Sequence, residues 1–178
     1  MVYFKKIAVS IFVLFSTLTG ARAQAPVGSP RVGNPGFDQE IGRLLKFTVP
    51  LISVETLRQE KGKYTILDAR EPAEYAVSHI PGAKNVGFEH FTEASLKGIS
   101  TEKPIVLYCS VGYRSEKIGE RLKTMGYSNI YNLYGSIFEW ANQGFPLENA
   151  HGKPTKALHT YNQDWSKWVE NPAIEKKW

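Results

Sequence analysis

Cys109 is the only cysteine of the 178-residue chain, and its position favours a reactive thiol. It follows the apolar run 105–108, which predicts a strand, and precedes Gly112 and a helix-forming stretch. A sulfur at such a junction lies beside unpaired backbone N–H groups and the positive end of the helix. Thiols there have pKa values of about 3.5–7.5, against roughly 8.5 for free cysteine. The sequence therefore predicts a thiolate nucleophile rather than an inert cysteine that packs as a small apolar side chain.

Charged residues near the predicted strand ends are candidates for assisting this thiolate. Arg114 carries a permanent positive charge, which either meets an anionic substrate or pairs with an acid such as Asp68 or Glu74. Asp68 and Arg70 follow the strand predicted at 64–68, at the carboxyl edge of a parallel sheet, where ligands gather. Arg70 either attracts an anion or braces a loop, and both roles stay open.

The elements that would position these residues alternate between strand and helix. Beyond the strands at 64–68 and 105–108, the pattern predicts a short strand at Leu51, a strand at 130–134, and helices that begin near Ser53, at 71–72, after Gly112 and at Ile137. Continuous apolar runs such as 105–108 are typical of strands buried on both faces. The chain is therefore predicted to be an α/β protein, with a parallel sheet covered by helices on both faces.

Sequence motifs at these places resemble those of the rhodanese-like domain family. Residues 109–114 read CSVGYR, similar to the family's C-x-x-G-x-R loop, and residues 67–75 (LDAREPAEY) with 79–83 (HIPGA) look like its other two signatures. The YG pair at 134–135 with Trp140 is similar to the closing G-G-x-x-x-W turn. The resemblance covers about 51–147 and is specific because the signatures occur in order. Ser78 and Ser136 stand where the family usually has glycine, which leaves the local turn geometry open.

The resemblance implies a sulfurtransferase that moves sulfane sulfur from thiosulfate or a persulfide, through a Cys109 persulfide, to cyanide or a thiol. No cofactor is implied. Physical chemistry agrees, because a turn with a mid-loop glycine can point several N–H groups at one anionic sulfur. The predicted site is accordingly catalytic Cys109, with Asp68 in support and, for the substrate or the loop, Ser110, Val111, Gly112, Tyr113, Arg114 and Arg70.

Two other classes of function remain as alternatives. Phosphatases and arsenate reductases use C-x5-R loops, whereas four residues separate Cys109 from Arg114 here, and the smaller ring favours a sulfur-sized centre. A non-catalytic rhodanese-like binding module is the other alternative, but inactive modules typically lack the cysteine. The uncharged side chains within the loop leave a persulfide or polysulfide as an alternative donor to thiosulfate.

Charge and histidine spacing exclude several partners. Without the first 23 residues the chain keeps 19 basic residues against 17 acidic ones, and it has no basic block of the kind that binds nucleic acid. The four histidines are not spaced as metal ligands, so no metal is predicted. The expected ligands are a small sulfur donor and a thiophilic acceptor.

The N-terminus is typical of an export signal. Lys5 and Lys6 precede the apolar run 7–18, and Ala21 and Ala23 form a signal-peptidase site. A membrane-anchoring helix is the alternative, but a span needs about 20 apolar residues and this run has about a dozen. We therefore expect cleavage before Gln24, a periplasmic or secreted protein, and no stable membrane association.

The remaining boundaries divide the rest of the chain into three parts. Residues 24–47 are predicted to be a flexible leader, 48–149 the single domain, and 150–178 a partly helical tail. Tyr161, Trp165, Trp168 and Val169 could share one face of a tail helix. That face would either cap the parent domain or bind a protein partner.

Overall fold

The structure is a computed structural model that describes residues 25–178. The predicted signal peptide, 1–23, and its cleavage site before Gln24 lie outside the described residues, so both stay predictions. Within 25–178, no helix is both long enough and apolar enough to cross a bilayer.

A five-stranded parallel sheet forms the centre, in the order β1–β5–β4–β2–β3. Its strands are short: β1 (Leu51–Ile52), β2 (Thr65–Asp68), β3 (Lys84–Asn85), β4 (Ile105–Tyr108) and β5 (Ile130–Leu133). The predicted parallel sheet is confirmed. The apolar run at 105–108 forms the central strand because its side chains are buried on both faces.

Helices cover both faces of this sheet, as predicted. They are α1 (Pro35–Leu44), α2 (Val54–Glu60), α3 (Pro72–Val77), α4 (Tyr113–Thr124) and α5 (Ser136–Asn142). Alternate residues of β4 belong to different apolar clusters: Val106 packs with α1, α2 and α5, and Leu107 packs with α4. Short 3-10 turns at Lys61–Lys63 and Glu93–Leu96 complete the connections.

Local sequence signals fix where the helices begin. The Ser53 side chain accepts a hydrogen bond from the Thr56 N–H at the start of α2, as the N-cap prediction required. Pro72 occupies the first turn of α3, where its missing N–H is not needed. Gly112 has a φ of 121°, a left-handed value that favours glycine, and it turns the chain from β4 into α4. Two strand-to-helix junctions, after β2 and after β4, thus meet at the carboxyl edge.

The predicted flexible leader, 24–47, is wrong over Pro35–Leu44. Residues Pro35–Leu44 form α1, which Asn34 caps by accepting the Phe37 N–H at 2.9 Å. Phe37 and Ile41 are fully buried in the core. The proline and glycine content obscured an amphipathic helix that begins at Pro35 and packs on the sheet.

The C-terminal tail is less helical than predicted. It contains β7 (Pro154–Thr155), β8 (Ala157–His159), β9 (Glu175–Lys177) and one 3-10 turn at Trp165–Trp168, and β7 pairs with β6 (Leu147–Glu148). The four residues of the predicted stripe do not share a helical face, since Tyr161 precedes the 3-10 turn and is 54% exposed, whereas Val169 follows the turn and is fully buried. Trp168 stacks on Phe37 at 5.5 Å, so the tail packs against its own domain.

Candidate active site

Cys109 lies at the carboxyl end of the central strand, immediately before the loop that leads into α4. Its side chain is buried, and the Gly112 N–H donates to Sγ at 3.1 Å. The backbone N–H of Cys109 donates to Ser136 Oγ at 3.2 Å, and that hydroxyl donates to the Leu133 carbonyl. The loop therefore contacts the thiol itself, and the start of α5 holds the backbone of Cys109.

Electrostatics around Cys109 favour the thiolate. Burial by itself raises the pKa of the thiol, but the positive charge of Arg114 and hydrogen bonds from Ser115 and Gly112 outweigh it and lower the pKa below the usual value. The first turn of α4 contributes because its N–H groups have no acceptors within the helix. The result is a thiol that ionises more readily than a free cysteine.

Arg114 forms a two-pronged ion pair with Glu74 of α3. Nη1 lies 2.6 Å from Oε2 and Nη2 lies 2.8 Å from Oε1, the planar fork-to-fork geometry that arginine provides. Nη2 also donates to Ser110 Oγ at 3.0 Å, so the pair braces the loop. The side chain of Arg114 remains 14% exposed, toward the same space as the thiol. Arg114 therefore both pairs with an acid and faces the pocket.

Arg70 and Asp68 form a second pair, and both side chains are fully buried. Arg70 Nη2 lies 2.6 Å from Asp68 Oδ2 and 2.7 Å from the carbonyl of Ser78. These contacts match the bracing role, and Arg70 does not line the cavity at Cys109. Ser78 has a φ of −167°, extended backbone that needs no glycine, so this departure from the family motif leaves the turn intact.

A cavity of about 320 Å³ opens above the thiol. Five predicted site residues line it: Cys109, Ser110, Val111, Tyr113 and Arg114. Gly112 is not a lining residue and acts through its backbone N–H. The N–H groups of Ser110 and Val111 have no backbone acceptor within 25–178, which leaves them available to an anion.

The other lining residues were not predicted as site residues. They are Leu44, Glu71, Glu74, Phe88, Glu89, Tyr161 and Trp165. Glu74 carries a sequence signal, because its motif forms α3 beside the loop and it is one of the two acids predicted as partners of Arg114. The tail aromatics carried a signal as an apolar stripe. Leu44 carries no such signal, because it lies in the segment 24–47 that the sequence predicts to be a flexible leader.

Histidines occupy positions away from the reaction centre or beside its ion pair. His79 stacks on Tyr75 with ring centroids 3.7 Å apart, and its Nε2 lies 3.3 Å from Glu148. His159 Nδ1 lies 4.0 Å from Glu74 Oε1. Within 25–178, no three His, Cys, Asp or Glu residues are grouped so that they could hold a metal ion.

Comparison with known proteins places this geometry in one family. The model of the rhodanese-like domain matches residues 53–143. The chain is 30% identical to a thiosulfate sulfurtransferase, GlpE, of Pseudomonas fluorescens, over 58% of this chain and 92% of that protein. It is also 30% identical to a thiosulfate:glutathione sulfurtransferase of Saccharomyces cerevisiae, over 52% of this chain and 78% of the relative.

Solved structures show the same fold. The BH2092 protein from Bacillus halodurans superposes with a TM-score of 0.53 at 23% identity, over 65% of this chain and 87% of that chain. The rhodanese-like domain from the Anabaena protein Alr3790 gives a TM-score of 0.51 at 24% identity, over 56% of this chain and 79% of that one. At these identities the likeness concerns the fold alone.

Proposed function

Since the chain belongs to the rhodanese-like domain family, we propose that it is a sulfurtransferase that carries sulfane sulfur as a persulfide on Cys109. The observation that carries the proposal is the position of the thiol, at the base of a cavity and beside Arg114 and the N–H of Gly112. A lowered thiol pKa and an anion-binding loop are both properties that persulfide chemistry requires.

The first step transfers sulfur to the enzyme. The Cys109 thiolate attacks the sulfane sulfur of thiosulfate, an S–S bond forms to Cys109, and the S–S bond of thiosulfate breaks with its electron pair leaving on sulfite. The product is a persulfide anion, and no proton is consumed. The N–H groups of Ser110 and Val111 and the charge of Arg114 would hold the negative charge that gathers above the loop.

In the second step a thiophilic acceptor removes the outer sulfur. Cyanide attacks that sulfur and leaves as thiocyanate, while a thiolate acceptor leaves as a new persulfide; in either case the S–S electron pair returns to Cys109. The names of the relatives, a thiosulfate sulfurtransferase and a thiosulfate:glutathione sulfurtransferase, support a thiosulfate donor and a thiol acceptor. No cofactor is required, because the thiolate is regenerated.

Intact mass spectrometry tests this function directly. Purified protein exposed to thiosulfate should gain one sulfur, and cyanide should remove it. Cys109→Ser should gain none and should keep the far-UV circular dichroism of the parent, since the hydroxyl has similar volume and is not ionised at neutral pH. Unmodified parent protein after exposure to both thiosulfate and an organic persulfide would instead support a non-catalytic binding module.

Export remains part of the proposal. Lys5, Lys6, the apolar run 7–18 and the Ala21–Ala23 pair support cleavage before Gln24 and a periplasmic or secreted location. N-terminal sequencing of protein from the exported fraction should give Gln24, or Ala25 or Pro26 if cleavage slips. A cytosolic species that retains Met1 as the main form would contradict it.

A further inference from the structure

The wall of the cavity at Cys109 includes segments outside the family-matched range. Leu44 comes from the end of α1, and Tyr161 and Trp165 come from the C-terminal tail, whereas the family match covers 53–143. Phe88 faces the same cavity from within the matched range. The thiol therefore opens into a pocket whose apolar and aromatic side is half supplied by the flanking segments, the other half coming from Phe88, Val111 and Tyr113.

These flanking residues are fixed in place rather than loosely attached. The backbone N–H of Trp165 donates to Asn162 Oδ1 at 3.0 Å, and the 3-10 turn that contains Trp165 packs on the core. Tyr161 adopts a φ of 68°, a left-handed value that is costly for a tyrosine, and its N–H donates to His159 Nδ1 at 3.1 Å. The structure thus holds the exposed Tyr161 ring against Arg114, with the guanidinium carbon 5.4 Å from the ring centroid.

At the end of α1, a buried carboxylate anchors the chain that follows Leu44. Glu116 accepts hydrogen bonds from the N–H groups of Lys46 and Thr48, at 2.9 and 3.0 Å. Glu116 is fully buried, so it fixes this segment to α4, the helix that begins at the active-site loop. The wall and the loop are therefore parts of one packed structure.

The charge of the cavity does not suit a small dianion. Among the described residues 25–178, Arg114 is the only cationic residue that lines the cavity, and the Glu74 carboxylate offsets part of its charge. Glu71 and Glu89 also line the cavity, and neither forms an ion pair with any residue in the range 25–178. Two unneutralised carboxylates repel thiosulfate, which carries two negative charges, more strongly than a donor with one.

From this wall and this charge we infer that the cavity selects an organic sulfane-sulfur donor with one negative charge and an apolar body. This inference rests on the proposed sulfur transfer and names its substrate class, an organic persulfide. In the reaction, Cys109 attacks the outer sulfur of R–S–S⁻, the S–S bond breaks, and its electron pair leaves on R–S⁻. The volume of about 320 Å³ is within the range of small-molecule pockets and exceeds what thiosulfate fills.

Two thiosulfonates with equal charge and the same reacting group provide the test. Benzenethiosulfonate and methanethiosulfonate each give the Cys109 persulfide and a sulfinate, so they differ in the apolar body alone. For the full mature chain, kcat/KM with benzenethiosulfonate should exceed that with methanethiosulfonate by about tenfold or more, the ratio expected when an aromatic ring is buried. Thiosulfate should give the lowest value of the three.

Variants of the wall identify its contribution. Tyr161→Ala should reduce the benzene-to-methane ratio severalfold, and Tyr161→Phe should keep it, because the ring is retained. Trp178→Ala is the matched control, since Trp178 is a tail aromatic that is 62% exposed and does not line the cavity. Trp165→Ala should also reduce the benzene-to-methane ratio severalfold. If Trp165→Ala fails to fold, the result with Tyr161→Ala alone tests the contribution of the wall.

Acidic residues at the mouth give a second readout. Glu89→Gln should raise kcat/KM for thiosulfate relative to methanethiosulfonate, because one repelling charge is removed. Failure of the two proposals can be told apart: no sulfur on Cys109 from any of the three donors overturns the sulfurtransferase function. Two outcomes overturn only the proposed donor selectivity. One is sulfur loading without an aryl preference, and the other is an aryl preference that Tyr161→Ala and Trp165→Ala leave intact.

Discussion

The two arginine–carboxylate pairs at the carboxyl edge of the sheet have the same chemistry and different surroundings. Arg70 and Asp68 are fully buried and contact no part of the cavity, whereas Arg114 and Glu74 both line it. Beyond its ion pair, the Arg70 guanidinium donates a hydrogen bond to the backbone carbonyl of Ser78. The Arg114 guanidinium instead donates a hydrogen bond to the Ser110 hydroxyl, in the loop that holds the thiol.

The difference shows how one residue type can serve either stability or chemistry. In a pair without solvent contact, the attraction between the partners offsets the cost of removing both charges from water. Removing one partner leaves the other charge buried and uncompensated, so the fold is destabilised. A pair at the rim of a cavity keeps part of its field available to a neighbouring thiol. Burial, rather than residue identity, therefore separates the structural arginine from the one that lowers the pKa of Cys109.

The largest expected effect is on the buried pair. Arg70→Ala leaves the Asp68 carboxylate buried without its partner, which costs about 3–5 kcal/mol of the free energy of unfolding. Urea unfolding followed by circular dichroism measures this loss. If Arg70→Ala unfolds at a urea concentration close to that of the parent, the structural assignment of this pair is wrong. The conservative Arg70→Lys keeps the charge and should recover part of the loss.

Arg114→Ala should have a smaller effect on stability and a specific effect on activity. Loss of a charge-assisted contact beside the reacting anion, worth about 1.5–3 kcal/mol, lowers kcat/KM for thiosulfate on the order of ten- to a hundredfold. Lysine should rescue part of it, because an ammonium group supplies the charge without the two-pronged contact to Glu74. Steady-state kinetics and thermal unfolding on both variants measure the two effects, and parent kinetics in Arg114→Ala would remove Arg114 from the site.

The pH dependence of Cys109 reactivity should respond to the Arg114–Glu74 pair, with opposite signs for its two members, and not to the Arg70–Asp68 pair. Alkylation by iodoacetamide follows the thiolate, so its rate rises as pH passes the thiol pKa. Arg114→Ala removes the nearby positive charge and should move the midpoint to higher pH. Glu74→Gln removes the neutralising charge and should move it to lower pH, while Arg70→Lys should leave it unchanged. Equal midpoints in all four proteins would mean that neither pair tunes the thiol.

Ser136 gives the smallest effect and tests the support below Cys109. It is a non-glycine residue at φ 52°, which costs about 1–2 kcal/mol, and its hydroxyl accepts the Cys109 N–H. Ser136→Ala loses the hydrogen bond and keeps the strain, whereas Ser136→Gly loses both. We expect Ser136→Gly to be the more stable variant by roughly 1 kcal/mol in urea unfolding. The reverse order would mean that the left-handed turn is not strained.

Much of the fold could be predicted because its signals are local. The apolar run 105–108, the cap at Ser53 and the proline at 72 each act within a few residues, and the structure confirms the strand and both helix starts. Helix α1 is not evident from the sequence because the prolines and glycines of 24–36, which run into its start, resemble a linker. Its stabilisation comes from Phe37 and Ile41, which pack in the core against distant parts of the chain. The tail is predicted to be partly helical because periodicity alone cannot distinguish a helix from short strands joined by a 3-10 turn.

The sequence by itself determined the loop that carries Cys109 and the alternation of strands and helices between about 51 and 142, since these depend on residues adjacent in the chain. Only the tertiary structure decided which carboxylate pairs with which arginine, because Glu74 and Arg114 are brought together by the alignment of α3 and α4 at one sheet edge. The same holds for the cavity wall, where Leu44 and Tyr161, 117 positions apart, meet above a thiol that neither adjoins in sequence. Contacts of this kind arise from packing between distant segments, and no local pattern encodes them.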